Sequence, residues 1–251
     1  MDLHLFDKTA LVTGTSVGIG YAIARGLAAE GVKVCITARR RELLERLAAD
    51  IVAAGGNRPH VVPMDITQEN APQKLAQEAC GALGRIDIVV NCAGGGRGRI
   101  ALDAPEKDWE ESMTLNFVRV RQLTHAVLPG MIEHRWGRVI NITGKSEPAS
   151  LTAVNGAKAA VHVWSKGLSR EVGQYGITVN CIAPGRIMSE QIRRKYTPEF
   201  RAEHSAREIP VGRYGEPEEL ANLAVFLASP NASYITGVML PVDGGLRRYA
   251  Y

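Results

Sequence analysis

The sequence predicts an α/β fold, a doubly wound parallel sheet of about seven strands with helices on both faces. Three observations predict it. Apolar runs of strand length alternate with amphipathic runs of helix length from Thr9 to Val242, the β-α-β rhythm of a parallel sheet. The strand runs are nearly continuous in apolar residues, as strands covered on both faces require. The 251 residues hold no linker, repeat or low-complexity tract, so residues 1–251 read as one domain.

Each element follows from local signals. Thr9–Thr13 is a first strand, and a helix over Ile19–Ala29 presents Ile19, Ala22, Ile23, Gly26 and Leu27 on one face. Lys33–Ala38 is a second strand, followed by a helix over Arg41–Ala54 that Gly55-Gly56 stops. His60–Pro63 and Ile86–Asn91 are strands on either side of a helix at Glu69–Ala82. Trp109–Leu128 reads as one long helix, Arg138–Ile142 as a strand and Val154–Gln174 as a long helix rich in small residues. Thr178–Ala183 is a strand ended by Pro184-Gly185. The stretch Glu190–Arg207 is charged, with weak apolar spacing. Pro217 opens a helix over Pro217–Ala228, and Val238–Val242 is the last strand.

Bulk properties narrow the function classes. Hydrophobic residues are 45% and charged residues 22%, enough to bury a core. A net charge of +4 is too weak to imply nucleic acid. Cys35, Cys80, Cys92 and Cys181 are isolated, which argues against a zinc site or a disulfide framework. Thiols of that kind, with no leader pattern at Met1-Asp2-Leu3-His4, fit a reducing, cytoplasmic compartment. No apolar run approaches a membrane span.

In such sheets ligands bind beyond the carboxyl ends of strands, where the winding reverses. The turn after the first strand reads Thr13-Gly14-Thr15-Ser16-Val17-Gly18-Ile19-Gly20. Glycines there let backbone approach a pyrophosphate, and the next helix offers free N–H groups and its positive end. The spacing is Gly-x-x-x-Gly-x-Gly, and a turn without a ligand is the bland alternative. Asn91–Gly96, Thr143–Ser146 and Pro184–Gly185 also follow strand ends and should ring the same crevice.

With these segments in hand, the chain resembles the short-chain dehydrogenase/reductases, and most closely the group around 3-oxoacyl-ACP reductases. The residues that carry the resemblance are Thr13 to Gly20, Asp65, Asn91-Cys92-Ala93-Gly94, Asn116, Lys158 and Pro184-Gly185. The tail from Gly212 through Tyr234-Ile235-Thr236-Gly237 to Val242-Asp243-Gly244-Gly245 extends it to nearly the full chain. The resemblance implies a Rossmann-type sheet holding a nicotinamide dinucleotide. Gly14, Gly18 and Gly20 would carry its pyrophosphate, with Ser16, Val17 and Ile19 of the same turn. Asp65, beside Ile66, would accept from the adenine amino group. Asn91 would steady the strands, Ala93 and Gly94 would let the ribose approach, and Pro184 and Gly185 would lie along the nicotinamide. The segment at about 186–210 would be a substrate lid.

Coenzyme choice has a physical argument of its own. An acidic side chain ending strand two would bind a ribose 2′-hydroxyl. Ala38 stands there instead and Arg39 follows, a guanidinium suited to a 2′-phosphate. NADP(H) is therefore expected, the alternative being that Arg39 and Arg40 simply open the next helix in solvent.

The sequence departs from the family at its catalytic positions. The family's chemistry needs a tyrosine four residues before the lysine, stacked on one helix face, as the acid that protonates the carbonyl oxygen. Val154 stands four before Lys158, and no tyrosine occurs between Tyr21 and Tyr175. The serine position falls on Gly144, and the loop that follows is shorter than in the family. Thr143, Lys145 or Ser146 could bring a polar group to the carbonyl, and a water held by Asn116 and Lys158 could donate the proton. His162 shares the helix face of Lys158 but reads as a satisfied core or interface histidine.

Three functions stay open: an NADP-dependent oxidoreductase with an atypical acid using Asn116, Lys158, Lys145 and Ser146; a nucleotide-binding protein without redox chemistry; and an elimination or isomerisation on the same fold. Arg186, Arg193, Arg194, Lys195, Arg201 and Arg207 in the lid, with Arg97 and Arg99, form a basic rim suited to an anionic small-molecule substrate, or merely a solvated surface. By resemblance the chain should form a homotetramer, through the two long helices.

Overall fold

The computed structural model describes residues 1–96, 100–144 and 150–249, the side chain of Gln191 excepted. The strands are β1 (Thr9–Thr13), β2 (Lys33–Ala38), β3 (His60–Pro63), β4 (Ile88–Asn91), β5 (Gly137–Ile142), β6 (Ile177–Pro184) and β7 (Met239–Val242). They form one parallel sheet in the order β3-β2-β1-β4-β5-β6-β7. The chain winds outward one way from β1 and the other way from β4, so the reversal falls between these two neighbours.

The continuous apolar strands serve two cores. Ala10 and Val12 of β1, with Ile36, Val90 and Ile140 of its neighbours, face α1 (Gly18–Ala29), α2 (Arg41–Ala53) and the distant α9 (Pro217–Ala228). These helices bring Ile23, Leu27, Leu44, Leu47, Leu220 and Leu227, all fully buried. Leu11, Cys35, Val89 and Val139 face the other way, toward α3 (Ala71–Leu83) and α5 (Arg119–Glu133). Alternation along each strand thus fills both faces, and each buried Leu or Ile stabilises by roughly 1.5–3 kcal/mol.

Two stretches differ from the sequence expectation. The long helix runs from Glu106 to Glu133 in three parts, α4 (Glu106–Met113), a π-turn (Thr114–Val118) and α5. The wide turn has a cause. Asn116 donates its side-chain amide to the Ser112 carbonyl at 2.9 Å, the acceptor a regular helix would reserve for the Asn116 backbone N–H. The charged stretch after β6 forms two helices, α7 (Glu190–Lys195) and α8 (Pro198–Glu208). Ser189 and Thr197 cap them with their hydroxyls, accepting from Ile192 N and Phe200 N at 3.2 Å each. Capping rather than an apolar stripe signals these helices. The second long helix, α6 (Ala153–Val172), is as expected, and a short 3₁₀ turn carries Tyr175 away from the crevice to the opposite end of the sheet. Among the described residues no helix is long and apolar enough to cross a membrane.

Candidate active site

The three glycines after β1 do different work. Gly14 adopts φ +72°, and a Cβ there would sit 2.7 Å from Ala93 N. A Cβ on Gly20 would collide with the Gly14 carbonyl, so this glycine lets α1 start hard against the turn. Gly18, at φ +67°, faces open space. The N-cap residue of α1 is Val17, which has no side-chain acceptor for the first-turn amides, and no acidic residue follows in that turn. Gly18, Ile19 and Gly20 therefore present helix N–H groups across an open surface, a geometry that fits an anion.

Thr13 ties this turn to the next strand end. Its hydroxyl accepts from Cys92 N and Ala93 N, both at 3.0 Å, and donates to Val90 O at 3.4 Å. Asn91 donates to Thr124 Oγ1 at 3.0 Å and to Asn141 Oδ1 at 2.8 Å, and Asn141 donates to Ser165 Oγ at 2.9 Å. This buried chain locks β4, α5, β5 and α6 together. Thr124, Asn141 and Ser165 were not foreseen, although Asn141 is a visible polar break in an apolar strand. Ile66, Asn91, Ala93 and Leu115 wall one recess beside Thr13. Asp65 accepts from Thr67 N at 2.9 Å and Thr67 Oγ1 at 2.7 Å. Burial pushes its carboxyl up, but the Thr67 hydrogen bonds and Arg39 outweigh this and hold it below the ordinary range.

The π-turn aims Asn116 at the loop after β4. Its amide donates to Gly95 O at 2.8 Å and accepts from Gly95 N at 3.0 Å. Lys158 approaches the same loop from α6 and donates to Ile142 O at 2.8 Å. A Cβ on Gly94 would lie 2.9 Å from Lys158 Nζ and 3.0 Å from Asn116 Oδ1, so Gly94 is the gap in which the two meet. Burial lowers the Lys158 ammonium to about 8, and the nearby Cys92 and Cys181 thiols oppose this only in part.

Val154 and Gly144 flank this pair. Val154 lies one turn above Lys158 with its Cγ2 against Gly96. It borders a cavity of about 580 Å³ with Gly95, Ile100, Ser112 and Leu115. Among the described residues a Cβ on Gly144 would meet only Lys158 Cγ, at 3.9 Å. Thr143, one residue earlier, points under α6: its Oγ1 donates to Ile182 O at 3.1 Å and lies 2.7 Å from His162 Nε2. His162 is thus a satisfied histidine, and burial, then Lys158, pushes its imidazole down. Lys145 and Ser146, with Arg97 and Arg99, lie outside the described residues.

Pro184 and Gly185 end β6, where Gly185 N donates to Val242 O at 2.9 Å. A Cβ on Gly185 would sit 2.6 Å from Asp243, so the strand end lies flat on the Asp243 turn. The segment after β6 is pinned where Gly215 N donates to Arg186 O and Met188 N to Gly215 O. Arg186 and Lys195 stand over the Tyr196 ring at 5.7 and 5.3 Å. On the other rim it is Arg40, not Arg39, that reaches the glycine turn, donating to Ser16 Oγ at 3.3 Å.

Comparison with known proteins agrees with this geometry. A family model described as enoyl-(acyl carrier protein) reductase matches residues 14–247. The chain belongs to the short-chain dehydrogenase/reductases. It is 36% identical to the 3-oxoacyl-(acyl-carrier-protein) reductase of Aquifex aeolicus, over 98% of this chain and all of that one. It is also 36% identical to Nodulation protein G of a Rhizobium species, over 97% and 98% of the two chains. Among solved structures, a 7α-hydroxysteroid dehydrogenase complexed with NADH and 7-oxo glycochenodeoxycholic acid superposes with a TM-score of 0.91 at 33% identity, covering 97% and 96% of the chains. YwfH, an NADPH-dependent reductase involved in bacilysin biosynthesis, gives 0.91 at 30% identity over 96% and 99%. This short-chain dehydrogenase/reductase carries Val154 one helical turn before Lys158 and Gly144 just beyond β5.

Proposed function

We propose that this protein is an NADP(H)-dependent oxidoreductase acting on a carbonyl or hydroxyl substrate, with an atypical proton donor. The observation that carries the reading is the convergence of Lys158 and Asn116 on Gly94, beside an open helix N-terminus at Gly18. That arrangement fits a dinucleotide: Gly14 to Gly20 for the pyrophosphate, Asp65 and Ile66 for adenine, Gly94 and Lys158 for a ribose, Pro184 and Gly185 for the nicotinamide. When bound, the coenzyme supplies or accepts a hydride. Lys158 is the acid on this frame. At about 8 its ammonium gives up a proton near neutral pH far more readily than an ordinary lysine. Asn116 fixes the loop against which that ammonium lies. Lys145 and Ser146 remain further donors in this reading.

The arginines of the lid support an anionic small-molecule substrate, Arg186 foremost because it stands at the lid base. A homotetramer is the proposed assembly, by family likeness. The second reading, nucleotide binding without redox chemistry, is favoured by one observation: neither Val154 nor Gly144 offers a hydrogen-bonding side chain.

The test is to add NADPH and a panel of ketones to the purified protein and follow coenzyme oxidation. Slow, substrate-dependent oxidation is expected. NADPH that binds tightly but is oxidised with no member of the panel would instead support the second reading.

A further inference from the structure

We propose that Glu190 sets coenzyme selectivity by competing with an adenosine 2′-phosphate for the guanidinium of Arg40. The inference rests on the coenzyme reading above and names a lid residue as part of it. Arg40 is the N-cap residue of the 13-residue α2. One nitrogen, Nη2, lies 3.3 Å from Ser16 Oγ in the glycine turn and 3.5 Å from Glu190 Oε2 in the first turn of α7. A single guanidinium therefore bridges the coenzyme cradle and the lid.

The carboxyl end of β2 is where the ribose 2′ position of a dinucleotide falls on such a sheet. Ala38 places no carboxylate there. An anion at that point would meet Arg40, the Ser16 hydroxyl and the N-terminus of α2, whose amides receive no side-chain cap. Arg40 is the guanidinium that contacts both turn and lid. A phosphate dianion held with Ser16 at the start of α2 would take Nη2, the nitrogen that the Glu190 carboxylate faces at 3.5 Å. Glu190 is the carboxylate that must yield. The side chains of Arg40 and Glu190 are 45% and 65% exposed, so their pairing is weak and exchange of partners costs little.

The test is equilibrium titration of the full chain with NADPH and with NADH, read by coenzyme fluorescence. Four forms are compared: the natural protein, Glu190→Gln, Arg40→Met and the double variant. Glu190→Gln is expected to tighten NADPH by about three- to fivefold and to leave NADH within about twofold. Arg40→Met should weaken NADPH by about tenfold. In the Arg40→Met background Glu190→Gln should change nothing. A natural protein that prefers NADPH, with Glu190→Gln leaving its affinity unchanged, overturns the inference alone. Equal tightening in both backgrounds also overturns it, since Glu190 would then act through space and not through Arg40. A natural protein that binds NADH more tightly overturns the NADP(H) reading itself.

Discussion

The end of β1 and the start of α6 face one crevice and follow different rules. Around β1 every part of the dinucleotide pattern is present, and most of it is backbone. Thr13 alone makes three hydrogen bonds to the β4 end, and Gly14 and Gly20 are packed too closely for any side chain. At α6 Lys158 approaches the loop after β4, while Val154 lies against Gly96 and a Cβ on Gly144 would touch Lys158 Cγ. The first region is held by main chain and packing, whereas the second is set by single side chains. The second can be rebuilt while the first is kept.

The sharpest way to break that contrast is Val154→Tyr. If the frame is poised and only the acid is displaced, a tyrosine one turn above Lys158 should raise kcat/KM for a ketone by about 10²–10⁴-fold, the usual worth of a placed acid. The cavity beside Val154 gives the ring room to turn. Steady-state kinetics on the same ketone, before and after substitution, reads the effect. An unchanged rate would mean that the frame around Lys158 is not poised, and the contrast would collapse.

The β1 side is tested by stability. Gly20→Ala puts a methyl into the Gly14 carbonyl, main chain against main chain, and should destabilise by about 3 kcal/mol or more. Gly18→Ala meets no atom and carries only its positive φ, about 1 kcal/mol. Urea unfolding of both variants checks the ranking. Equal losses would show that the turn is not held by close packing, contrary to the argument above.

The sheet was legible because burying a strand on both faces demands continuous apolar residues, and Leu11 and Val12 each satisfy one face. The glycine turn was legible because positive φ and contact with Ala93 leave glycine as the fitting residue. The π-turn at Asn116 was not, because it arises from a side chain that competes for a backbone acceptor and anchors a loop 21 residues away. The Thr143–His162 contact escaped for a similar reason. It joins residues 19 apart whose meeting depends on how far α6 descends beside β5. The contact of Arg40 with Ser16 joins residues 24 apart, because side-chain reach across a turn is not written in one-dimensional order.

An effect of intermediate size turns on Lys158 itself and separates its burial from its chemistry. Burial lowers its ammonium from the usual lysine value, about 10.4, to about 8. The group is therefore held at a cost while protonated. That cost is roughly 3 kcal/mol at neutral pH, and losing the hydrogen bond to Ile142 sets about 1 kcal/mol against it. Lys158→Met should thus stabilise the fold by on the order of 2 kcal/mol at pH 7. The sign with pH follows from proton counting. Between about 8 and 10.4 the unfolded chain holds the proton that the folded one has lost, so the natural protein gains stability as pH rises through that window. The advantage of methionine should shrink over the same interval and be absent above it, as paired thermal melts at pH 7, 9 and 10.5 would show. An advantage independent of pH would mean that Lys158 is solvated in the fold, and the β1 frame would then hold its coenzyme without a poised lysine beside it.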